Sequence, residues 1–272
     1  MQAFESVSTW RQPMPPPSSA ERAAAIGTVA GWIAELRPGR LRVAIDGLTG
    51  AGKTSFGHEL AAALRALGRP TMRASMDDFK HPWRHAREHG YDRVSGEGYY
   101  RNAPDFSSAR ELLLRPAGPG GSGNVVLCAH DPLTGEDHRD KSVHTPVDAV
   151  LIVDSAFAFR REYNEFWDYR IWLDVDADMA LARGIARDTE MEGLEEATRV
   201  HRDRCHAAER IYSLRSTLCP WLTSSLTTAT LHAPTSCGSG TPDQASRPCR
   251  IRAGMWHITW RTSVAHQSTD KR

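Results

Sequence analysis

The chain has 272 residues, with 34 Lys and Arg against 33 Asp and Glu, and its formal net charge is +1. This length suits one large domain or one domain with appendages, and the near-neutral balance gives no bulk attraction to nucleic acid or to an anionic membrane. No apolar run approaches the ~20 residues of a membrane span. The five cysteines are scattered without a C-x-x-C pair. Free thiols in a reducing compartment are therefore expected, and we predict a cytoplasmic protein with no nucleic-acid or membrane partner.

Helical and strand-like segments alternate in the first half of the chain. Residues 1–18 are polar and proline-rich, which predicts a flexible amino-terminal segment. The hydrophobic periodicity predicts a helix over 20–36, a strand over 41–46, a helix over 55–67 and a strand over 71–75. Residues 80–104 show no clear period. We interpret them as a long loop with short helical pieces over an active site, since long loops inside a domain are usually functional.

The alternation continues to residue 212. The sequence predicts a helix over 105–115, a small hairpin of 125–128 with 141–145, buried strands at 149–154 and 169–175, and helices over 177–188 and 194–212. Strands that alternate with helices imply a parallel sheet with right-handed crossovers. Ligands of such sheets bind at the carboxyl ends of the strands. We therefore expect an α/β domain over residues 19–212, with its functional site at that edge.

Residues 213–272 differ in character from the rest of the chain. They are rich in Ser and Thr, and their only acids are Asp243 and Asp270. No helical or strand period persists, so we predict an atypical, disordered tail.

Residues 47–54 form a glycine-rich G-x-x-x-x-G-K-T sequence between a predicted strand and a predicted helix. In this pattern the backbone N–H groups and the positive end of the helix surround an anion, Lys53 reaches the outer phosphates, and the Thr54 hydroxyl ligates magnesium. We expect a nucleotide to contact Gly47, Leu48, Thr49, Gly50, Ala51, Gly52, Lys53, Thr54 and Ser55.

Carboxylates follow two of the predicted strands. Asp77 lies just past residues 71–75, where it could accept a proton from an attacking hydroxyl. The alternative role for Asp77 is a helix or turn cap. Asp154 ends a strongly apolar run and could hold Mg²⁺, partly through water. Its alternative role is a strand-end cap.

Arg183 and Arg187 lie four residues apart on one face of a predicted helix. Such a face could close over a polyphosphate and neutralise charge that develops during transfer. The nearby acids Asp188, Glu190 and Glu192 offer the alternative of a solvated helix with internal ion pairs.

Taken in order, the motifs resemble those of the uridine kinase and phosphoribulokinase branch of the phosphate-loop kinases. The similar segments are residues 43–55, 75–79, 99–106, 130–139, 151–157, 166–176 and 183–188. Only the phosphate loop is specific by itself, and the order and spacing of the segments strengthen the resemblance.

The resemblance implies a P-loop NTPase fold with a parallel five-stranded sheet of nucleoside-monophosphate-kinase type, flanked by helices. It implies ATP and Mg²⁺, with phosphoryl transfer to a hydroxyl of a small-molecule acceptor, most simply a nucleoside. By motif, Asp77 takes the place of the general base, Lys53 that of the phosphate-binding lysine, Asp154 that of the acid near magnesium, and Arg183 and Arg187 places in the lid. The matching segments place the acceptor near Asp78, Phe79, Tyr100, Arg101, His130, Asp131 and His138.

This chain departs from the uridine kinase pattern at two pairs of residues and in the lid, where Gly184 and Glu192 leave fewer arginines than uridine kinases carry. It has His130-Asp131 where uridine kinases usually carry Tyr-Asp, and Asp154-Ser155 where they carry Glu-Gly. After Tyr212 the family would continue into a valine-rich final strand, which this chain lacks. The resemblance thus leaves open the acceptor and whether the final strand is missing. Two alternatives to an active kinase follow: a nucleotide-binding hydrolase or switch, and an inactive relative impaired by its carboxyl-terminal segment.

Overall fold

The computed structural model describes residues 3–10, 18–215 and 255–259. Its centre is a wholly parallel sheet with the strand order β1-β3-β6-β2-β7-β8. The six strands are β1 (Ala3–Phe4), β2 (Leu41–Gly47), β3 (Thr71–Ser75), β6 (Val150–Asp154), β7 (Tyr169–Asp174) and β8 (Met255–Thr259). Five of these have at least five residues, so the predicted five-stranded parallel α/β sheet is confirmed, with the two-residue β1 added at one edge.

The strand register aligns the carboxyl ends that build the site. Asp154 at the end of β6 lies beside Ser75 of β3 on one side and Ile45 of β2 on the other. Gly47, the last residue of β2, lies beside Leu173 of β7. The phosphate loop therefore begins between β6 and β7, and Asp154 lies in register with Ile45, two residues before the loop begins at Gly47.

Helices cover the sheet on both sides. They are α1 (Ala20–Glu35), α2 (Lys53–Ala66), α3 (Gly96–Asn102), α4 (Phe106–Ser108), α5 (Arg161–Asn164), α6 (Ala177–Glu192), α7 (Leu194–Arg199) and α8 (His206–Arg215). Two π-helical turns, Ala109–Leu114 and Val200–Cys205, extend α4 and join α7 to α8. Within the described residues, none of the helices is both long and apolar enough to cross a membrane.

The sheet separates two apolar cores, because successive strand side chains point to opposite faces. Val43 and Ile45 of β2 pack on one face with Phe56 and Leu60 of α2. Ala44 lies in the other core, together with the aromatic side chains of the segments after β3 and β6. Helix α1 belongs to the first core through the buried side chains of Ile26, Val29 and Ile33.

The long segment after β3 contains short helical pieces, as predicted for residues 80–104. It holds two short 3₁₀ turns, Met76–Phe79 and Trp83–His85, before α3. The predicted hairpin is present as the antiparallel pair β4 (Asn124–Val126) and β5 (Ser142–His144).

The amino-terminal segment differs from the prediction of a flexible stretch over residues 1–18. Ala3 and Phe4 pair with Thr71 and Met72, which makes β1 an edge strand. Beyond it, Ser6 and Thr9 hydrogen-bond to the carboxylates of Asp78 and Asp131. These partners are more than seventy residues away in the chain, which is why local composition did not reveal them.

The other sheet edge bears on the predicted tail. Met255–Thr259 runs parallel to β7, with Ile171 beside Trp256, and so occupies the position of a final strand. The prediction allowed for a sheet without this strand, and the structure places one there. The run Met-Trp-His-Ile-Thr has aromatic and β-branched residues, which suit a strand. The remainder of the predicted tail after Arg215 lies outside the described residues, and residues 213–215 complete α8.

Candidate active site

The phosphate loop runs from the end of β2 to the first residue of α2. Gly52 caps α2 with a φ of 87°, in the left-handed region that favours glycine. Gly50 also has a φ of 87°, and a Cβ there would stand 2.1 Å from the carbonyl oxygen of Ala180 on α6. Because α2 has 14 residues and begins at this loop, its positive end faces the space that the loop encloses.

Lys53 folds back across the loop. Its Nζ donates to the carbonyl oxygens of Gly47 and Leu48 over 2.9 and 2.8 Å. Burial lowers the pKa of Lys53, although four carboxylates nearby, led by Asp46 and Glu209, oppose the shift. The ammonium thus lies inside the loop, among oxygen atoms that a phosphate could replace.

Helix α8 contacts the phosphate loop and the strand that leads into it, through one side chain each. The N–H of Thr49 donates to Glu209 Oε1 over 2.6 Å. Three residues later, the Tyr212 hydroxyl donates to Asp46 Oδ2 over 2.6 Å. Asp46 is fully buried, and burial raises the pKa of its carboxyl to about 6. Sequence reasoning missed all three residues, although Asp46 directly precedes the glycine-rich loop.

Asp154 is held between α2 and β3. Its Oδ2 accepts from the hydroxyls of Thr54 and Ser75 over 3.0 and 3.2 Å, and its Oδ1 accepts from Arg73 over 2.6 Å. Hydroxyl and carboxylate oxygens are the hard donors that Mg²⁺ prefers. Thr54 and Asp154, the two predicted metal-binding residues, are therefore adjacent, and their chemistry fits that ion.

Asp77 lies on the 3₁₀ turn after β3, and its side chain is 46% exposed. Lys80 Nζ donates to Asp77 Oδ1 and to the Tyr99 hydroxyl, each over 2.5 Å. Burial alone would raise the pKa of the Asp77 carboxyl, but Lys80, together with Lys53 and Arg187, more than offsets this effect, so the pKa lies below its usual value. Asp77 is thus ionised at neutral pH and can accept a hydrogen bond from a hydroxyl.

The predicted lid residues lie on α6. Arg187 Nε donates to Asp188 Oδ1 over 2.6 Å, and His201 Nε2 lies 2.7 Å from Asp188 Oδ2. Burial would raise the pKa of Asp188, yet His201 and Arg187 together bring it well below its usual range. Arg187 is also close enough to Asp77 to lower the pKa of that carboxyl. Arg187 thus interacts with Asp188 on the same helix and with Asp77 in the site.

A cavity of about 510 Å³ connects these elements. Ten of the predicted site residues line it: Thr49, Gly50, Gly52, Lys53, Thr54, Asp77, Asp131, Asp154, Arg183 and Arg187. The phosphate loop, the two carboxylates and the lid therefore share one space.

Several residues predicted to contact the acceptor do not line this cavity within the described part of the chain. Asp78 points to the amino-terminal segment and accepts from Ser6, and burial raises the pKa of its carboxyl to about 7. Phe79 is fully buried in the apolar core. Asp77 and Asp78 are adjacent but point in different directions, so only one of them faces the phosphate loop.

The remaining predicted acceptor residues have other partners. Tyr100 is buried in the core, and Arg101 pairs with Glu97 on the outer face of α3. His130 is buried with its Nε2 3.3 Å from Asp105, and His138 Nε2 lies 3.2 Å from Glu136. None of these four residues is among those that line the cavity in the described part of the chain.

Further lining residues come from the segment 80–104, which the sequence predicts as a loop over an active site, and one comes from the predicted helix 194–212. They are Lys80, His81, Trp83, Tyr91, Tyr99 and Arg204. The Arg204 guanidinium lies 5.1 Å from the Trp83 ring centroid and 5.0 Å from that of Tyr99. The aromatic content of residues 80–104 was the available signal for this wall.

One further group brings metal-ligand types together. Atoms of His81, Asp105 and His130 lie within 4.8 Å of one another. Asp105 caps α4, accepting from the N–H and hydroxyl of Ser108 over 3.0 and 2.6 Å, and it also faces His130. The Asp105 carboxylate thus serves as a helix cap and as a partner of His130.

The fold and site together define a P-loop kinase. Residues 43–207 match the profile described as "Phosphoribulokinase / Uridine kinase family", and the chain belongs to this family. The resemblance inferred from the motifs is therefore confirmed.

Two solved structures show the same fold. One is described as a "putative fructose transport system kinase" from Silicibacter sp. TM1040, at 22% identity and a TM-score of 0.56, covering 70% of this chain and 95% of the other. The second is described as a "possible uridine kinase" from Bacillus stearothermophilus, at 22% identity and a TM-score of 0.54, covering 74% of this chain and 96% of the other. No curated protein matched the sequence.

Proposed function

We propose that this protein transfers the terminal phosphoryl group of ATP to a hydroxyl of a small-molecule acceptor, with a nucleoside as the expected acceptor class. The observation that carries the proposal is the shared cavity: Lys53, the Thr54–Asp154 pair and Asp77 all line it. A phosphate loop alone would serve many nucleotide-binding proteins. A carboxylate facing that loop across an enclosed space is what acceptor phosphorylation requires.

The phosphate loop supports the nucleotide end of the reaction. Its N–H groups and the start of α2 would bind the polyphosphate, and Lys53 would exchange its two carbonyl partners for phosphate oxygens. Bound Mg²⁺ would neutralise charge on the β- and γ-phosphates. Thr54 and Asp154 are the residues that would hold it.

Asp77 supports the acceptor end. Because its pKa lies below the usual value, the carboxylate is ionised and can orient an acceptor hydroxyl and take its proton as the new O–P bond forms. Lys80 keeps Asp77 in place through the hydrogen bond of 2.5 Å. Arg183 and Arg187 line the same cavity and would stabilise the charge of the transferring group.

The far wall supports an acceptor with both a flat and a polar part. Trp83, Tyr91 and Tyr99 offer ring faces and edges, while Lys80 and Arg204 offer N–H donors. A nucleoside combines a stacking base with ribose hydroxyls, which suits such a wall.

Acceptor-dependent release of ADP tests the proposal. The purified protein would be incubated with Mg-ATP and a panel of nucleosides, sugars, ribulose phosphate and pantothenate, and ADP would be measured against time. ADP formation only with an acceptor, and a phosphorylated product by mass spectrometry, would support the kinase. Acceptor-independent release would instead indicate a hydrolase, and no Mg-ATP binding by a folded protein would contradict the proposal.

A further inference from the structure

An arginine is buried beside the carboxylate assigned to the metal. Arg73 lies in the middle of β3, and its side chain is 9% exposed, while that of Asp154 is 6% exposed. Arg73 Nη2 donates to Asp154 Oδ1 over 2.6 Å, and Nη1 donates to the carbonyl oxygen of Ile152 over 2.8 Å. A buried charge is costly unless it is paired and hydrogen-bonded, so this pair forms a fixed unit inside the sheet.

Helix α2 provides the space for this arginine. A Cβ on Gly57 would lie 2.6 Å from Arg73 Cζ, so any larger residue there would displace the guanidinium. Gly57 is buried on the same helix that carries Lys53 and Thr54. Helix α2, which carries Lys53 and Thr54, therefore accommodates the Arg73 guanidinium because Gly57 has no side chain.

The two oxygens of Asp154 consequently have separate partners. Oδ1 faces Arg73, whereas Oδ2 faces the hydroxyls of Thr54 and Ser75. Thr54 is the phosphate-loop hydroxyl of the metal site. Only Oδ2 is thus directed toward the place where a cation would meet the nucleotide.

We propose that Arg73 is a positioning residue for the metal site, an inference that rests on the proposed kinase function. It occupies Oδ1 and balances the charge of Asp154, so that the carboxylate meets the cation, directly or through water, by Oδ2 alone. Arginine suits this role because its planar guanidinium donates to two acceptors at once and remains charged. Lysine could balance the charge but could not hold Asp154 and Ile152 in the same fixed geometry.

Metal-linked nucleotide binding provides the test, because it requires no acceptor. The dissociation constant of ATP would be measured by calorimetry in EDTA and then across a Mg²⁺ titration. In Arg73→Met, we expect ATP affinity in EDTA to stay near that of the unchanged protein. The Mg²⁺ concentration needed to tighten ATP binding should rise about 10-fold, the lower end of the 10–100-fold effects seen when partners of metal ligands are lost. Arg73→Lys should restore part of this loss.

Arg65→Met is the matched control. Arg65 lies on α2 and donates to Thr71 of β3 over 2.8 Å, so it links the same two elements without touching Asp154. Its loss should leave the Mg²⁺ dependence unchanged. A folded Arg73→Met protein with the same Mg²⁺ dependence as Arg65→Met would overturn the proposal.

A double variant separates positioning from general destabilisation. If Arg73 acts through Asp154, adding Arg73→Met to Asp154→Asn should cause no further change in Mg²⁺ dependence. A further 10-fold change in the double variant would overturn the proposal. This comparison also serves if Arg73→Met alone fails to fold, because the double variant replaces both buried charges with neutral groups.

Turnover provides a readout that also separates this proposal from the proposed function. With an active acceptor, Arg73→Met should lower kcat about 10-fold or more and leave the acceptor KM unchanged. If the unchanged protein binds Mg-ATP but phosphorylates no acceptor, the kinase proposal fails while the calorimetric test of Arg73 still stands. If it is an active kinase and Arg73→Met behaves like Arg65→Met, only the inference about Arg73 fails.

Discussion

The hydroxyl of Tyr212 donates to Asp46 over 2.6 Å, although the two residues are 166 positions apart in the chain. The N–H of Phe159 also donates to this carboxylate, over 3.2 Å. A single buried acid therefore joins the last described helix, the segment after β6 and the strand that enters the phosphate loop.

The buried Asp46 carboxyl should make stability depend on pH. Its pKa is raised from 3.8 to about 6 in the folded protein, so between these values the folded state binds more protons than the unfolded state. Stability from this group is therefore fully present below about pH 4 and is lost as the pH rises through 6. Relative to Asp46→Asn, the unchanged protein should lose about 3 kcal/mol of unfolding free energy over this interval. Urea unfolding of both proteins at several pH values would measure the difference, and parallel curves would contradict it.

Asp77→Asn should lower kcat by two to four orders of magnitude while ATP affinity stays nearly constant, because the amide cannot accept the acceptor proton. The measurement is acceptor-dependent ADP release together with calorimetry of Mg-ATP binding. Asp78→Asn is the matched control, because Asp78 is adjacent in sequence but faces the amino-terminal segment. Its kcat should stay close to that of the unchanged protein, and equal losses in both variants would show that the assignment of Asp77 is wrong.

Glu209→Gln should strengthen ATP binding. The Glu209 carboxylate accepts from Thr49 in the phosphate loop and lies near Lys53, so it repels an incoming polyphosphate. Removing this charge while keeping an acceptor for the N–H should lower the dissociation constant of ATP by about tenfold. Calorimetry would measure it, with Glu196→Gln as a surface control that pairs with Arg199. Weaker binding in Glu209→Gln would mean that the carboxylate shapes the loop for the nucleotide.

Gly50→Ala should abolish detectable ATP binding, because the new Cβ would stand 2.1 Å from the Ala180 carbonyl oxygen and the φ of 87° is strained for alanine. The loop and α6 would have to separate. Gly27→Ala on α1 is the control, since its Cβ would meet no atom within 4 Å. That change should instead stabilise the protein by about 0.5–1 kcal/mol, measured by urea unfolding. Normal ATP binding by Gly50→Ala would contradict the close approach of Gly50 to the Ala180 carbonyl oxygen.

The parts of the site that are local in sequence could be predicted. The phosphate loop, its flanking strand and helix, and the acids at two strand ends follow from motif and periodicity, because each depends on residues only a few positions apart. Asp77 and Asp154 indeed line the cavity with the loop.

The parts that depend on distant contacts could not be predicted. Asp78 and Phe79 were predicted to contact the acceptor, but Asp78 accepts from the distant Ser6 and Phe79 packs in the core. Arg73 reads as an ordinary strand residue until Asp154 and Gly57 are placed beside it. The strand Met255–Thr259 is a short run in a Ser/Thr-rich region, and only its pairing with β7 makes it part of the sheet.

Residues 180–209, which include Arg183 and Arg187, contact the phosphate loop at the first and at the last of these positions. At its start, Ala180 abuts Gly50, and after it, Glu209 binds the N–H of Thr49. A segment anchored twice to the same short loop cannot swing open from one side like a flap. Because both contacts tie this segment to the loop, displacement of Arg183 and Arg187 from the site would require the backbone to change at Gly50 or at Thr49 as well.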